Sequence, residues 1–432
     1  MFKKKKLGEL VELITYGFTN PMPTVPEGVY MLTAKDIYNG KINYKDARKT
    51  TKQAYQELLT SKSKPKKGDI LLTKDGSIGR VAICDRDDLC INQSIALIRV
   101  NSLINSKYLK YMLESPIIQN SLEVDSGGTT IKHIYISRLP QMEVFLPSLD
   151  DQQEIIKILD NLNDKINFNE KKKESLEDIS FALFNSWFSN FDPVKENIKG
   201  EKNGLFKNLN HLFPSSFKDT ELSSIPSGWK IELLKDVIEK YIDNRGKTPP
   251  TIKNGIPLVE VKHINENSQF PNLKTDKYIS KETFDNWFRQ HVKKYDILIS
   301  TVGTIGFTSI VFDTSFVIAQ NILGFRTSNK SLSIYLFYLI KSRYFQYQMD
   351  SRLIETVQKS IKRKDLDDIP IIIPPVKLIN KFSEIVENFL IKQFHLEKQN
   401  TILSNLLRIL LPRLISGKLK FYDMKDSLVV NN

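Results

Sequence analysis

Cysteine is almost missing: Cys84 and Cys90 are the two in 432 residues, too few for a disulfide framework or a thiolate metal site, which points to a reducing cytoplasm. No apolar run approaches the roughly 18 residues needed to cross a bilayer. The opening Lys3-Lys4-Lys5-Lys6 cluster is not followed by the apolar stretch of a secretory signal. Histidine is sparse as well: His133, His211, His263, His291 and His395 are scattered, with no paired metal-ligand spacing. Phosphate-cradling loops are lacking, because Asp75-Gly76-Ser77-Ile78-Gly79-Arg80 has the glycines without the lysine and hydroxyl in place. The Asn-Pro-Pro-aromatic run of an adenine methyltransferase is absent too, since Asn20-Pro21-Met22-Pro23 breaks it after two residues.

Lysine, by contrast, is abundant. Of 63 basic residues against 50 acidic ones only 13 are Arg, and the net charge is +13. Such an excess favours a polyanionic partner, nucleic acid or an anionic membrane surface. A 41% hydrophobic and 10% aromatic composition excludes wholesale disorder. The length allows about three average domains, or two with long connecting elements.

An internal repeat organises the chain. Lys67-Gly68-Asp69-Ile70-Leu71-Leu72-Thr73 returns as Lys294-Tyr295-Asp296-Ile297-Leu298-Ile299-Ser300, and Gly76-Ser77-Ile78-Gly79 as Gly303-Thr304-Ile305-Gly306. Gln93 matches Gln320, Arg99 matches Arg326, and Tyr108-Leu109 matches Tyr335-Leu336. After an insertion of three residues, Ile131-Lys132 pairs with Ile361-Lys362 and Leu139-Pro140 with Ile369-Pro370. In each copy the apolar alternation around two glycines predicts a strand, a tight turn and a strand.

A long helix is expected after each copy. Ile155, Leu159, Leu162, Ile166, Asn169, Lys173, Leu176, Ser180, Leu183 and Trp187 step by four and three, as do Phe382, Val386, Phe389, Gln393, Leu396, Asn400, Leu403, Leu407, Leu410 and Leu414. This is coiled-coil spacing, and the polar residues in mid-frame are expected to fix register. The expected arrangement pairs the two helices antiparallel, as a rod between two similar domains. Residues 191–228, charged at first and then broken by Pro214, Pro226 and Gly228, read as a connecting loop.

Candidate DNA contacts lie at loop tips beside the glycines, where Lys, Ser, Thr and free backbone N–H groups suit phosphate oxygens. Lys64, Lys66 and Lys67 form a basic loop before the first glycine strand; Lys74, Ser77 and Arg80 flank the turn itself. Thr129, Thr130 and Lys132 stand opposite Lys359, Ser360, Lys362, Arg363 and Lys364 of the second copy. Thr301 and Thr304 repeat the turn positions, and Lys35 and Lys262 follow matched strands. One enzyme-like alternative is open: Asp243 with Glu260-Val261-Lys262 fits the loose spacing of metal-dependent nucleases. A bivalent regulatory DNA binder is another.

The order of motifs resembles the specificity (S) subunits of type I restriction–modification systems. The glycine-turn segment Gly68 to Arg80 is similar to that of their target recognition domains. Pro147-Ser148-Leu149-Asp150-Asp151-Gln152-Gln153-Glu154-Ile155 resembles the opening of their conserved helix, and Ser186-Trp187-Phe188-Ser189 its end. Ile225-Pro226-Ser227-Gly228-Trp229 resembles the entry to the second recognition domain, and Leu411-Pro412-Arg413-Leu414-Ile415-Ser416-Gly417 the end of the second helix. The resemblance implies an α+β fold: two target recognition domains separated by two long antiparallel coiled-coil helices, related by a pseudo-twofold repeat. The implied divisions are 1–148 and 229–376 for the recognition domains, 149–190 and 377–420 for the helices, and 191–228 for the linker. It further implies a chain with no catalysis or cofactor of its own that reads a bipartite, asymmetric double-stranded DNA target. Two methyltransferase subunits bring S-adenosylmethionine, and endonuclease/translocase subunits use ATP and Mg²⁺. Gln152, Gln153, Trp187, Phe188, Leu411 and Leu414 are the expected partner contacts. The second helix opens at Pro374-Pro375-Val376 without the acidic-Gln run of the first, so contacts at the two helix starts are expected to differ.

Overall fold

The computed structural model describes residues 2–124, 132–200, 207–221, 223–244, 248–265, 268–353 and 359–419. Thr129 and Thr130 lie outside these residues. The chain divides into two units, Met1–Phe168 with Asn400–Asn432, and Asn169–Gln399. No helix among the described residues is long and apolar enough to cross a membrane.

In the first unit a four-stranded antiparallel sheet runs in the order Val11–Tyr16, Ile95–Val100, Ile70–Thr73, Val81–Ile83. A three-stranded sheet places Val29–Leu32 between Arg48–Thr50, antiparallel, and Leu89–Ile91, parallel. Ile70–Thr73 is buried along its whole length, and Ile70, Leu71 and Leu72 are apolar in succession because both faces of the strand are covered. Ile70 and Leu72 join the core beneath the helices Ser106–Glu114 and Pro116–Val124, whereas Leu71 joins a second core with Ala82 and Leu97. A one-residue slip would exchange these sets, so the two cores fix the register.

The second unit repeats the plan. Lys240–Ile242, Ile322–Arg326, Ile297–Ser300 and Thr308–Ile310 form the four-stranded sheet, and Ile256–Val259 pairs antiparallel with Tyr278–Ile279 and parallel with Val317–Ile318. In both units a buried Asp opens the central strand. Asp69 takes a two-pronged pair of bonds from Arg99 at 2.8 and 2.6 Å, and Asp296 takes the same from Arg326 at 2.8 and 2.6 Å. Each carboxylate also accepts a backbone N–H, from Lys66 and Lys293. The glycine turns recur with φ of +73° and +82° at Gly76 and Gly79, and +80° and +84° at Gly303 and Gly306. The left-handed backbone at Gly79 favours glycine, and a Cβ there would also displace the Gln119 side chain, whose Oε1 would stand 2.5 Å away.

The copies keep one spacing past the turn, where the sequence reading places an insertion. Gly76 N–H donates to Lys132 O as Gly303 does to Lys359 O, and Ile134 N–H to Lys74 O as Ile361 does to Thr301 O. Leu7 N–H donates to Met142 O as Leu234 does to Ile369 O. Lys132 therefore corresponds to Lys359, and His133 to Ser360. The pairing of Lys132 with Lys362, and of Leu139-Pro140 with Ile369-Pro370, is corrected by three residues, while Ile131 lies outside the described residues.

The long helices are Leu149–Phe184 and Val376–Ile415. None of the twenty residues in the two four-three frames is exposed. Asn400 Nδ2 donates to Ile166 O at 3.4 Å in the first unit. In the second, Asn169 Nδ2 donates to Gln399 Oε1 at 2.8 Å and Lys173 pairs with Glu397 at 3.1 Å. One number rises as the other falls, so the helices are antiparallel. The polar mid-frame residues Asn169, Gln393 and Asn400 are buried, as register-fixing residues should be.

After a turn of π-helix at Asn185–Ser189, the segment read as a loop forms a helix at Asp192–Lys199 and a two-stranded ribbon, Phe217–Asp219 with Ser224–Pro226. Pro193 in the first turn and Gly200 at φ +72° after the last favour this helix. Its Val194, with Phe213 and Ile225, enters the second unit's core.

Cys84 and Cys90 are free and buried, and burial pushes both thiols up to about 12. Thiolate, the reactive form, is then scarce at neutral pH. Thiol-reagent labelling at pH 8 is accordingly expected to follow the unfolding curve of the first unit; rapid labelling of two thiols in the native protein would contradict this placement.

Candidate nucleic-acid interface

In the first unit three loops meet at the C-terminal end of Ile70–Thr73. Lys74 N–H donates to Ser94 O at 2.9 Å, and Ser94 Oγ accepts from Ala34 N–H at 2.9 Å. The backbone bridge to Lys132 and Ile134 adds a fourth segment. These bonds gather Lys35, Lys74, Ser77, Arg80 and Lys132 around the glycine turn. Lys35, Ser77 and Lys132 are exposed, and Lys132 pairs with Glu123 at 2.7 Å. Lys74 is largely buried, with its ammonium 2.9 Å from Asp75 and 5.3 Å from the centre of the Tyr16 ring. Asp75 also bonds His133. Arg80 donates to Ile37 O and lies 5.4 Å from the Tyr38 ring centre. Tyr16, Tyr38 and Tyr135 are exposed, and Arg138 covers the Tyr135 ring at 4.9 Å. Cations fixed on exposed aromatic faces combine charge for phosphate with flat surface for sugar and base. Sequence reasoning misses these tyrosines, because nothing in their local spacing marks them.

Lys64, Lys66 and Lys67 are not brought to this cluster. They precede the strand, at its other end, about 13 Å away for four residues at roughly 3.3 Å each. Lys64 lies over the Tyr55 ring at 4.8 Å, while the backbone of Lys66 and Lys67 binds Asp69 and Asp87.

The second unit has the same scaffold with different side chains. Thr301 stands where Lys74 does; it is buried, and its Oγ1 donates to Asn321 O at 3.1 Å. Phe307 replaces Arg80. Thr304, Lys359, Lys362, Arg363 and Lys364 are exposed, and Ser360 is half-buried. Arg363 lies over Tyr241 at 4.9 Å and 3.5 Å from Asp367. Beside them a cleft of about 520 Å³ is lined by Thr248, Leu258, Glu260, Lys262, Lys277 and Gln320, among others. Glu260 pairs with Lys277 at 2.6 Å and Lys262 at 3.4 Å, and Lys262 also reaches Asp276 at 2.9 Å. Burial raises the Glu260 pKa, but the two ammonium groups outweigh it and hold the carboxyl below its usual range.

Among the described residues no group of three or more His, Cys, Asp or Glu could hold a metal ion. The carboxylate of the nuclease-like triple is instead engaged by lysines, and Asp243 follows the edge strand Lys240–Ile242.

Of the expected partner contacts, four are packed within the chain. Gln152 is buried, donates to Leu103 O and Pro147 O at 3.2 Å each, and accepts from Asn105 N–H at 2.7 Å. Trp187 and Phe188 pack edge-on against Phe382, Phe213 and Tyr335 in the second unit's core. Leu414 is in the first unit's core, Leu411 is half-buried beside it, and Gln153 is exposed.

The model of the type I restriction modification DNA specificity domain matches residues 1–178 and 226–404. The type I restriction enzyme MjaIX specificity subunit of Methanocaldococcus jannaschii is 27% identical over 442 residues, 98% of this chain and 94% of that one. The HindI specificity subunit of Haemophilus influenzae is 22% identical over 475 residues, covering 97% and 99%. A crystal structure of the type I restriction-modification S subunit from M. genitalium shares the fold, with a TM-score of 0.57 at 18% identity over 96% of each chain.

Proposed function

Because the chain belongs to the type I restriction–modification DNA specificity family and is thereby a DNA-sequence-recognition subunit, we propose that each of its two recognition domains reads one half of a bipartite, asymmetric target. The observation that carries this reading is a scaffold held constant under changed side chains. The sheet order, the Asp–Arg pair and the glycine turn recur, while Lys74, Arg80 and His133 give way to Thr301, Phe307 and Ser360. A constant framework with altered side chains around the glycine turn is what two unlike half-sites require.

On this reading Lys35, Lys132, Lys359 and Lys362 supply phosphate contacts, Lys262 is a further DNA contact, and backbone N–H groups at Ser77 and Thr304 add to them. The domains are taken as 1–148 and 229–376, the helices as 149–190 and 377–420, and the helices set the unread spacer. The chain itself is non-catalytic and cytoplasmic. Methyltransferase subunits supply S-adenosylmethionine and the methylation of adenine; endonuclease subunits supply ATP-driven cleavage. Gln153 and Leu411 are the members of the proposed docking set with surface to offer. Neither a nuclease nor a free-standing regulator has support in the family. Mg²⁺-dependent cutting by the purified chain, abolished in Glu260→Ala, would revive the former.

Replacing Lys359 and Lys362 together by Ala should lower the slope of log K against log salt by about 2, at roughly 0.9 per phosphate contact, without changing the preferred sequence. Salt titrations of the complex with its methyltransferase check this. The reading as a whole is tested by exchanging residues 229–376 for the matching domain of another specificity subunit. One half of the methylated motif should change and the other persist; a motif that changes in both halves or in neither would contradict it.

A further inference from the structure

On the specificity reading, the cleft of the second unit holds a carboxylate, Glu260, on a surface that meets a polyanion. Phosphates repel it, so its presence needs a reason. A purely structural role gives a weak one, because ion pairs of this exposure contribute about 0–1 kcal/mol; the Glu260 side chain is 26% exposed and its lysine partners 45% and 56%.

The local turn differs from that of the first unit in the group that accepts its opening N–H. In the first unit Thr33 opens the turn Ala34–Asp36, and buried Asp36 accepts both the Thr33 N–H and its hydroxyl at 2.7 Å. In the second unit Glu260 opens the turn Val261–His263, and the acceptor for its N–H is His263 Nδ1 at 2.9 Å. An imidazole accepting at Nδ1 is neutral, with its proton on Nε2. Burial, with the Lys262 charge adding to it, holds His263 below its ordinary value. The exchange of Asp for a neutral acceptor removes what would be a second carboxylate three residues from Glu260. The Glu260 side chain then lines the cleft with Lys262, Lys277 and Gln320, over the apolar Pro249 and Ala319.

We propose that Glu260 and Lys262 together read one C·G base pair of the second half-site, the carboxylate accepting from cytosine N4 and the ammonium donating to guanine O6 and N7, with Lys277 orienting the carboxylate. The major-groove edges fit: cytosine offers a donor without an adjacent acceptor, whereas adenine N7 faces a carboxylate lone pair. Thr33 at the matched position gives the first domain no such acceptor, so the pair belongs to the second half-site alone. This inference rests on the specificity reading above.

The test is methylome sequencing of a methylation-free host that carries the methyltransferase subunit with wild-type chain, Glu260→Gln or Glu260→Ala. Expected is a wild-type motif with a C·G pair in one half, which Glu260→Ala relaxes at that position alone by roughly ten- to hundredfold. Glu260→Gln should move the preference there toward A·T, since an amide both donates and accepts. The unchanged first half-site reports a folded chain in each variant. A variant motif identical to wild type, a loss spread evenly over both half-sites, or a motif half lacking C·G would overturn the proposal. Absence of any wild-type motif would overturn it together with the specificity reading, so the two failures are told apart.

Discussion

Asp296→Ala should destabilise the second unit by about 3–5 kcal/mol, the usual consequence of removing one partner from a buried charge pair. Asp296 is 1% exposed and is held by Arg326 through two bonds and by Lys293 N–H. Without it the guanidinium keeps only His291 O, at 2.9 Å, as a bonded acceptor among the described residues. The strand it opens, Ile297–Ser300, lies between two others in the sheet, so the loss is felt in the core that ends at the glycine turn. Asp69→Ala should act in the same way on the first unit. Replacing Asp296 and Arg326 together by apolar residues should recover much of the loss, because no uncompensated charge remains. Urea denaturation followed by Trp fluorescence reads this, since Trp187 and Trp229 are buried in the second unit. A change below about 1 kcal/mol for Asp296→Ala would show the pair to be dispensable.

The second large effect is on the target itself. One extra heptad placed after Lys173 and before its partner Glu397 keeps both frames in step and lengthens each helix by about 10 Å. If the helices set the spacer, the methylated motif should keep both half-sites and gain about three unread base pairs, at roughly 3.4 Å each. A heptad in one helix only should lose pairing and activity, because Asn169–Gln399 and Lys173–Glu397 cannot then stay in register together with the pairs on the other side of the insertion. An unchanged spacer in the doubly extended chain would refute the role of the helices in setting it.

Features carried by side chains of fixed spacing are legible in the amino-acid order alone. The duplicated Asp–strand–glycine segment and the matched Arg99 and Arg326 form the same framework in both units. The four-three frames are the inward faces of the long helices. Features that depend on the backbone or on distant partners are not legible in this way. The pairing of Ile131-Lys132 with Ile361-Lys362 follows identical residues, whereas the true correspondence rests on backbone bonds that carry no residue signature. The segment after residue 190 reads as a loop because its charges hide Val194 and Phe213, whose burial is decided by the aromatic cluster around Trp187. At the candidate interface, position along a strand is the missing quantity. Lys64 to Lys67 and Lys74 are close in sequence, yet Ile70–Thr73 puts them at opposite ends.

The central claim, that this chain chooses the DNA sequence its partners modify, is tested most directly by methylome sequencing of a methylation-free host expressing it with its methyltransferase subunit. The account expects one bipartite motif carrying methyladenine, lost when either protein is omitted. Methylation that persists without this chain, or none at all when the two proteins co-purify folded, would contradict it.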